Sequence, residues 1–216
     1  NTSAIDRRKF LKLSGITGTG LIIGFNTGLA NTIAVSGIPE AADMYEFTPL
    51  INIEKSGKIF LFNTRPEIGQ GTFQAVPSMI AEELEVSLDQ VTIVQTGGEK
   101  KFGGTQWVGG SSSVRSGYGE LRKAGAAAKE MLQKAAATNW NVPVDECYAE
   151  NGKIFHKPSG KNSTYGELAE AASKLELPKS PKLKDPKDFN MLGKATPRPD
   201  VPLKSSGRAI FGIDAS

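Results

Sequence analysis

The chain has 216 residues, 38% of them hydrophobic and 23% charged, which suits one large or two small globular domains and excludes a disordered or collagen-like chain. The formal net charge is +3, and the excess sits at the N-terminus: Arg7, Arg8, Lys9 and Lys12 outweigh Asp6 within residues 1–36, so the balanced remainder offers no basic face for nucleic acid. One cysteine, Cys147, and one histidine, His156, exclude a disulfide framework, a Cys-built zinc or iron–sulfur site and a multi-His metal site.

Residues 1–36 read as an address. Arg7-Arg8-Lys9-Phe10-Leu11-Lys12 is a twin-arginine run, followed by an apolar stretch from Leu13 to Phe25 that Gly15, Gly18, Gly20 and Gly24 interrupt. The stretch is too short and too glycine-rich to span a bilayer, and a charged start before a short apolar run is the layout of an export signal, here of the twin-arginine (Tat) type. The alternative is a short amphipathic helix. Ala30 and Ala34-Val35-Ser36 are candidate cleavage positions.

Residues 37–177 read as an α+β region, with mixed sheet hairpins and packed helices. Ile51 to Glu54 alternates, Ser56-Gly57 turns, and Lys58 to Phe62 returns, which predicts a hairpin. A loop over Pro66–Thr72 leads to a helix over Val76–Leu84, with Pro77 in its first turn or kinking it. Val91 to Val94 is a β-branched strand, and Gly97–Gly110 is a glycine-rich loop carrying Phe102 and Trp107. An alanine-rich helix follows the three serines 111–113 and runs to about Trp140. Asn151-Gly152 marks a second hairpin, and Thr164 with Glu167 resembles a capping box opening a short helix to Ser173.

Six prolines from Pro178 to Pro202 make residues 178–207 an extended, lysine-rich connector. Ala209–Ile213 reads as the first strand of a following domain over 208–216, so the chain is expected to be the opening part of a larger subunit.

Two loops carry candidate chemistry. Glu67-Ile68-Gly69-Gln70-Gly71-Thr72 sets two glycines about an amide that both donates and accepts, just before a helix start that favours an anion. From spacing alone an ordinary strand–helix turn is the stronger reading. Gly109-Gly110-Ser111-Ser112-Ser113-Val114-Arg115 gathers backbone N–H groups, three hydroxyls and a guanidinium at a helix end, either as an anion cradle or as a plain serine cap. Neither loop has the Walker or dinucleotide-binding pattern. His156 beside Lys157 is expected to be solvated, and Cys147, beside Asp145 and Glu146, to have a raised thiol pKa.

The order of these features resembles the molybdenum-binding large subunit of the isoquinoline 1-oxidoreductase type, in the xanthine dehydrogenase/aldehyde oxidoreductase superfamily. The stretches that carry the likeness are RRKFLK at 7–12, PEIGQGTFQAVPSMIAEELEV at 66–86, GGSSSVRSGYGELRKAGAAAKEML at 109–132, AENGKIFH at 149–156, YGELAEAA at 165–172, LKDPKDFNMLGKATPRPD at 183–200 and SGRAIFGID at 206–214. They span nearly the whole chain.

The resemblance implies a molybdenum–molybdopterin cofactor, often in its cytosine dinucleotide form, touched by both loops. Carried over, Gly69, Gln70 and Gly71 would bind it, with Gln70 facing an oxygen, and Ser111, Ser112, Ser113, Val114 and Arg115 would supply further contacts. Ile68 stands where the family usually has Met. The family's catalytic glutamate, in a late glycine-rich motif, has no counterpart here, so no catalytic residue is assigned. For the complete enzyme the resemblance implies hydroxylation of an aldehyde or an N-heterocycle with water as oxygen source; the Tat-type leader places it in the periplasm, free or membrane-associated. Electrons would pass to a small subunit with two [2Fe–2S] clusters, then to a cytochrome c or a membrane acceptor. The alternative is a cofactor-free scaffold or assembly module of the same fold.

Overall fold

A computed structural model describes residues 43–214, so the expected leader over 1–36 lies outside the described residues. The first sheet runs β1 (Met44–Thr48), β2 (Ile51–Glu54), β3 (Ile59–Asn63) and β4 (Val91–Gln95), hydrogen-bonded in that order. β1, β2 and β3 are antiparallel, with Ile53 opposite Ile59, and β4 lies parallel to β3, with Leu61 opposite Ile93. A parallel neighbour needs a crossover, and α1 (Thr72–Leu84) supplies it.

Every residue of β3 is buried, which explains why Ile59-Phe60-Leu61-Phe62 does not alternate. Ile59 and Leu61 join the main core with Val76, Ile80 and Leu84 of α1. Phe60 and Phe62 form a second cluster with Val94 and Phe102 on the other face. The glycine-rich loop thus covers the sheet by means of Phe102, whose ring centroid lies 5.1 Å from that of Phe62.

α2 (Ser113–Trp140) packs along α1, and its alanines lie in the core. The approach is closest at Gly125, where an added Cβ would collide with the Ile80 carbonyl oxygen and touch Glu83. β5 (Cys147–Glu150), β6 (Lys153–His156) and β7 (Asn162–Thr164) form a second antiparallel sheet. Its tight turn is the expected Asn151-Gly152, both residues left-handed at φ 49° and 75°. α3 (Tyr165–Ser173) opens on the expected capping box, in which the Thr164 hydroxyl accepts from Glu167 N–H and the Glu167 carboxylate accepts from Thr164 N–H. The buried Tyr165 hydroxyl donates to Leu84 O at 2.6 Å and so closes the end of α1.

The C-terminal segment departs from expectation in two ways. Residues 178–207 are not a free connector but a strap across α1 and α2. It contains a 3-10 turn at Pro186–Asp188 and a short helix, α4 (Val201–Ser205). Glu82 and Glu83, 2% and 0% exposed, hold it. The Glu82 carboxylate accepts from the backbone N–H groups of Asn190, Met191 and Leu192 at 2.9, 2.7 and 2.9 Å and from Lys184 Nζ at 2.8 Å. Glu83 accepts from Lys184 N–H at 2.9 Å and from Arg122 Nε at 2.7 Å. Composition marks this segment as an extended connector because its prolines and lysines are considered alone, whereas its backbone donors reach carboxylates roughly a hundred residues away in sequence. The second departure is the expected strand at Ala209–Ile213. Ala209–Phe211 has no regular structure and Gly212–Asp214 is a 3-10 turn. Ile210, Phe211 and Ile213 are exposed, with no strand beside them among the described residues.

Candidate functional site

The first loop leaves the buried end of β3 and enters α1 through Gly69 and Gly71, both left-handed at φ 104° and 93°. The glycines are needed there because an L side chain resists that conformation. The loop's anion-binding N–H groups are already engaged by its own carboxylate. Glu67 Oε1 accepts from Gly69 N–H at 2.7 Å and Gly71 N–H at 3.1 Å, and Oε2 accepts from Phe73 N–H at 2.9 Å. Burial pushes the Glu67 carboxyl up, but these donors and the charge of Lys204 outweigh it, so its pKa is lowered.

Gln70 also turns inward on the loop. Its amide donates to Pro66 O at 2.8 Å and to Thr72 Oγ1 at 3.2 Å, and it accepts from Ile68 N–H at 2.7 Å. Its amide thus closes the turn that the two glycines make. Sequence reasoning missed Glu67, although Glu67 lies four residues before a glycine at a helix start.

The strap reaches this loop. Arg198 Nη1 donates to Gly69 O at 3.4 Å, and Nη2 lies 3.5 Å from Glu67 Oε1. Arg198 is oriented by Asp200, which it contacts at 2.7 Å and which also pairs with Lys204. The Arg198 guanidinium, against the effect of burial and together with Lys204, holds the Asp200 carboxyl at about 2.

The second loop differs. Gly110 and Ser111 are left-handed at φ 57° and 51° and turn the chain into α2. Ser112 stands at the cap position, yet its hydroxyl donates to Gly109 O at 2.9 Å instead of capping the helix. The first turn of α2 holds no acidic residue. Ser111, Val114 and Arg115 are exposed, and Ser112 and Ser113 are half-buried. This helix start thus presents positive dipole and hydroxyls with no carboxylate of its own. Trp107, 55% exposed, lies against Gly109, where a Cβ would meet the ring.

One residue that sequence reasoning did not single out joins the two loops. Arg65, 5% exposed, lies two residues past the end of β3. Its carbonyl accepts from Thr72 Oγ1 at 3.4 Å, at the start of α1. Its guanidinium donates to Trp107 O at 3.1 Å and to Ser116 Oγ at 3.2 Å, at the start of α2. Both candidate loops therefore lie at one end of the α1–α2 pair. An open cavity of about 960 Å³, lined by Glu85, Leu88, Tyr148, Met191, Pro197 and Arg198, runs beside the strap, and a second of about 660 Å³ lies near Glu130, Val144 and Leu177.

Of the remaining candidates, His156 is corrected from solvated to buried, at 5% exposure. Its ring nitrogens meet Glu146 Oε2 at 2.8 Å and Ser159 Oγ at 2.7 Å, a placement set by its pairing opposite Cys147. Cys147 is buried, and its thiol pKa is raised by burial first and by Glu146 and Asp145 next, which makes it unreactive. Among the described residues no cluster of three or more His, Cys, Asp or Glu is placed to hold a metal ion, and no helix is long and apolar enough to cross a membrane.

An anionic group fits these two loops unequally. The first has filled its own donors with Glu67 and offers a shaped rim. In the second, the Ser111 and Ser113 hydroxyls and the first helix N–H groups have no partner among the described residues, as a bound phosphate or pterin oxygen requires.

A family model described as the molybdopterin cofactor-binding domain matches residues 16–203. The chain is 28% identical over 235 residues to the beta subunit of isoquinoline 1-oxidoreductase from Brevundimonas diminuta, covering 85% of this chain and 30% of that protein. It is 26% identical over 199 residues to a nicotinate dehydrogenase subunit of Pseudomonas putida, covering 92% and 16%. It is 29% identical over 222 residues to a membrane-bound aldehyde dehydrogenase (pyrroloquinoline-quinone) of Gluconacetobacter polyoxogenes, covering 99% and 28%. The chain thus spans between 16% and 30% of the length of these relatives. Among solved structures, quinoline 2-oxidoreductase from Pseudomonas putida 86 superposes with a TM-score of 0.43 at 19% identity, over 56% of this chain and 15% of that one. The Cu,Mo-CO dehydrogenase superposes at 0.41 and 20% identity, over 60% and 18%.

Proposed function

Because the chain belongs to the family of molybdopterin cofactor-binding domains, we propose that it forms one wall of the cofactor site in a larger molybdenum hydroxylase subunit. The observation that carries this reading is the open start of α2: three serines, a helix dipole and no acid, held by Arg65 next to the Gly69–Gly71 loop. Ser111, Ser113 and the first N–H groups of α2 would hold an anionic part of the cofactor. Gly69, Gln70 and Gly71, shaped from within by Glu67, would form the adjoining rim. Ser112 holds the turn through Gly109, and Arg115, exposed beside it, adds positive charge.

When bound, the cofactor supplies two-electron redox chemistry. This chain's part is to bind and orient it. We assign no acid, base or nucleophile among these residues. The substrate class that fits the relatives' names is an aldehyde or an aromatic N-heterocycle, hydroxylated with oxygen from water. The remainder of the large subunit would supply the substrate pocket, and a small [2Fe–2S] subunit the electron exit. The twin arginines at Arg7-Arg8 support export of the folded subunit to the periplasm.

The test is cofactor content in the full-length subunit purified with its partners. Ser113→Ala combined with Gln70→Ala is expected to lower bound molybdopterin severalfold while the complex still assembles. Wild-type loading in the double variant refutes the assignment of the loops. A wild-type complex devoid of molybdenum supports instead the cofactor-free scaffold.

A further inference from the structure

We propose that Arg65 is the electrostatic and positioning residue of this cofactor site, holding the start of α2 in place and supplying the positive charge that retains a phosphate group there. The inference rests on the molybdopterin reading and goes beyond it: Arg65 lies in neither loop, and phosphate is named as the group it serves.

Arg65 is 5% exposed, and among the described residues no carboxylate pairs with it. A buried cation without an anion is unfavourable. Among the described residues the other buried guanidinium, Arg122, pairs with Glu83 at 2.6 Å, and the half-buried Lys184 pairs with Glu82 at 2.8 Å. The Arg65 guanidinium instead donates to two neutral acceptors, Trp107 O and Ser116 Oγ. Both belong to the serine-loop end of α2.

Ser116 Oγ passes the contact on, donating to Ser112 O at 2.7 Å. The charge therefore lies directly behind the helix turn where, among the described residues, the Ser111 and Ser113 hydroxyls and the N–H groups of Ser113, Val114 and Arg115 have no hydrogen-bond partner. The neighbouring helix start differs in the same respect: α1 has Glu67 as its anion, and α2 has none. A guanidinium without a carboxylate, an uncapped helix start and an acid-free first turn together make a site for an external oxyanion, and phosphate matches its charge and hydrogen-bonding needs.

Two charge changes test this in the full-length complex, read by molybdopterin retention, its salt dependence and thermal stability. Arg65→Gln removes the charge and keeps polarity. Retained molybdopterin is expected to dissociate about tenfold faster, with a shallower rise of that rate with ionic strength. Arg65→Lys keeps the charge and is expected to keep the salt dependence. Ser116→Asp places a carboxylate beside Arg65 at an exposed helix position that accepts an acid. It is expected to lower retention with no loss of thermal stability, whereas the uncharged Ser116→Asn loses cofactor more slowly.

Equal retention in Ser116→Asp and Ser116→Asn, or wild-type retention and salt slope in Arg65→Gln, overturns the proposal. If Arg65→Gln does not fold, the Ser116 pair decides. Inorganic phosphate separates this claim from the functional reading. At matched ionic strength phosphate is expected to raise the melting temperature of the cofactor-free wild-type complex and not that of Ser116→Asp. No difference refutes the Arg65 assignment, whether or not the wild-type protein carries molybdopterin.

Discussion

Glu82→Gln is expected to release the strap from α1. The wild-type carboxylate is almost fully buried and accepts four hydrogen bonds, three of them from backbone N–H groups of Asn190, Met191 and Leu192. Glutamine has one acceptor oxygen, and its NH₂ group would face two of those donors. Each buried donor left without an acceptor costs about 1–3 kcal/mol. Lys184 loses Glu82 but keeps Glu85 at 3.0 Å, which limits the ionic part of the loss. The total is about 3–5 kcal/mol, the range for breaking a buried charged contact. If strap and core unfold together, a chain of this size melts about 10 °C lower. If the strap opens alone, amide exchange at residues 190–192 accelerates about 10²–10³-fold, with little change in melting temperature. Hydrogen exchange by mass spectrometry alongside thermal denaturation distinguishes the two. Glu85→Gln, which removes one partly exposed contact to Lys184, is expected to cost less than about 1 kcal/mol. Unchanged exchange at 190–192 in Glu82→Gln refutes the claim that this carboxylate holds the strap.

Acid is expected to weaken the strap's grip on the first loop. The Asp200 carboxyl is held at about 2, against an ordinary 3.8, chiefly by Arg198. A lowered carboxyl pKa stabilises the fold fully above about pH 4, and that stabilisation is lost as pH falls toward 2; with solvent screening it is worth on the order of 1–2 kcal/mol. Glu67 and Glu82, both lowered, act in the same direction. Urea midpoints measured from pH 5 to pH 2.5 should therefore fall less steeply in Asp200→Asn than in wild type, and parallel curves would contradict this. Two glycines of α2 should respond oppositely to alanine. Gly125→Ala drives a methyl into the Ile80 carbonyl and is expected to cost about 3 kcal/mol. At Gly119 a Cβ meets no atom within 4 Å, and Gly119→Ala is expected to stabilise by about 1 kcal/mol, both read from denaturant midpoints.

Elements whose determinants lie within a few residues of one another were legible. The Asn151-Gly152 hairpin, the Thr164–Glu167 capping box, the apolar run of β3 and the alanine-rich α2 each follow from local sterics or periodicity. The short strand Met44–Thr48 was not legible, because it is mixed in burial and shifts register between Glu46 and Thr48. His156 was misread for a related reason: its neighbour Lys157 is exposed, but the register of β5 against β6 turns the imidazole inward onto Glu146.

The two loops were visible as glycine and serine patterns, since a left-handed turn or a helix start writes itself into adjacent residues. The rest depends on charges meeting across long stretches of chain, which no local pattern records. Glu67 fills one helix start and leaves the other open; Arg65 ties Trp107 to Ser116; Glu82 and Glu83 convert a proline-rich tail into a strap. Local sequence determines which groups are available, but a buried charge takes its meaning from the partner that packing brings to it, and that partner was chosen only when the helices and the sheet closed around it.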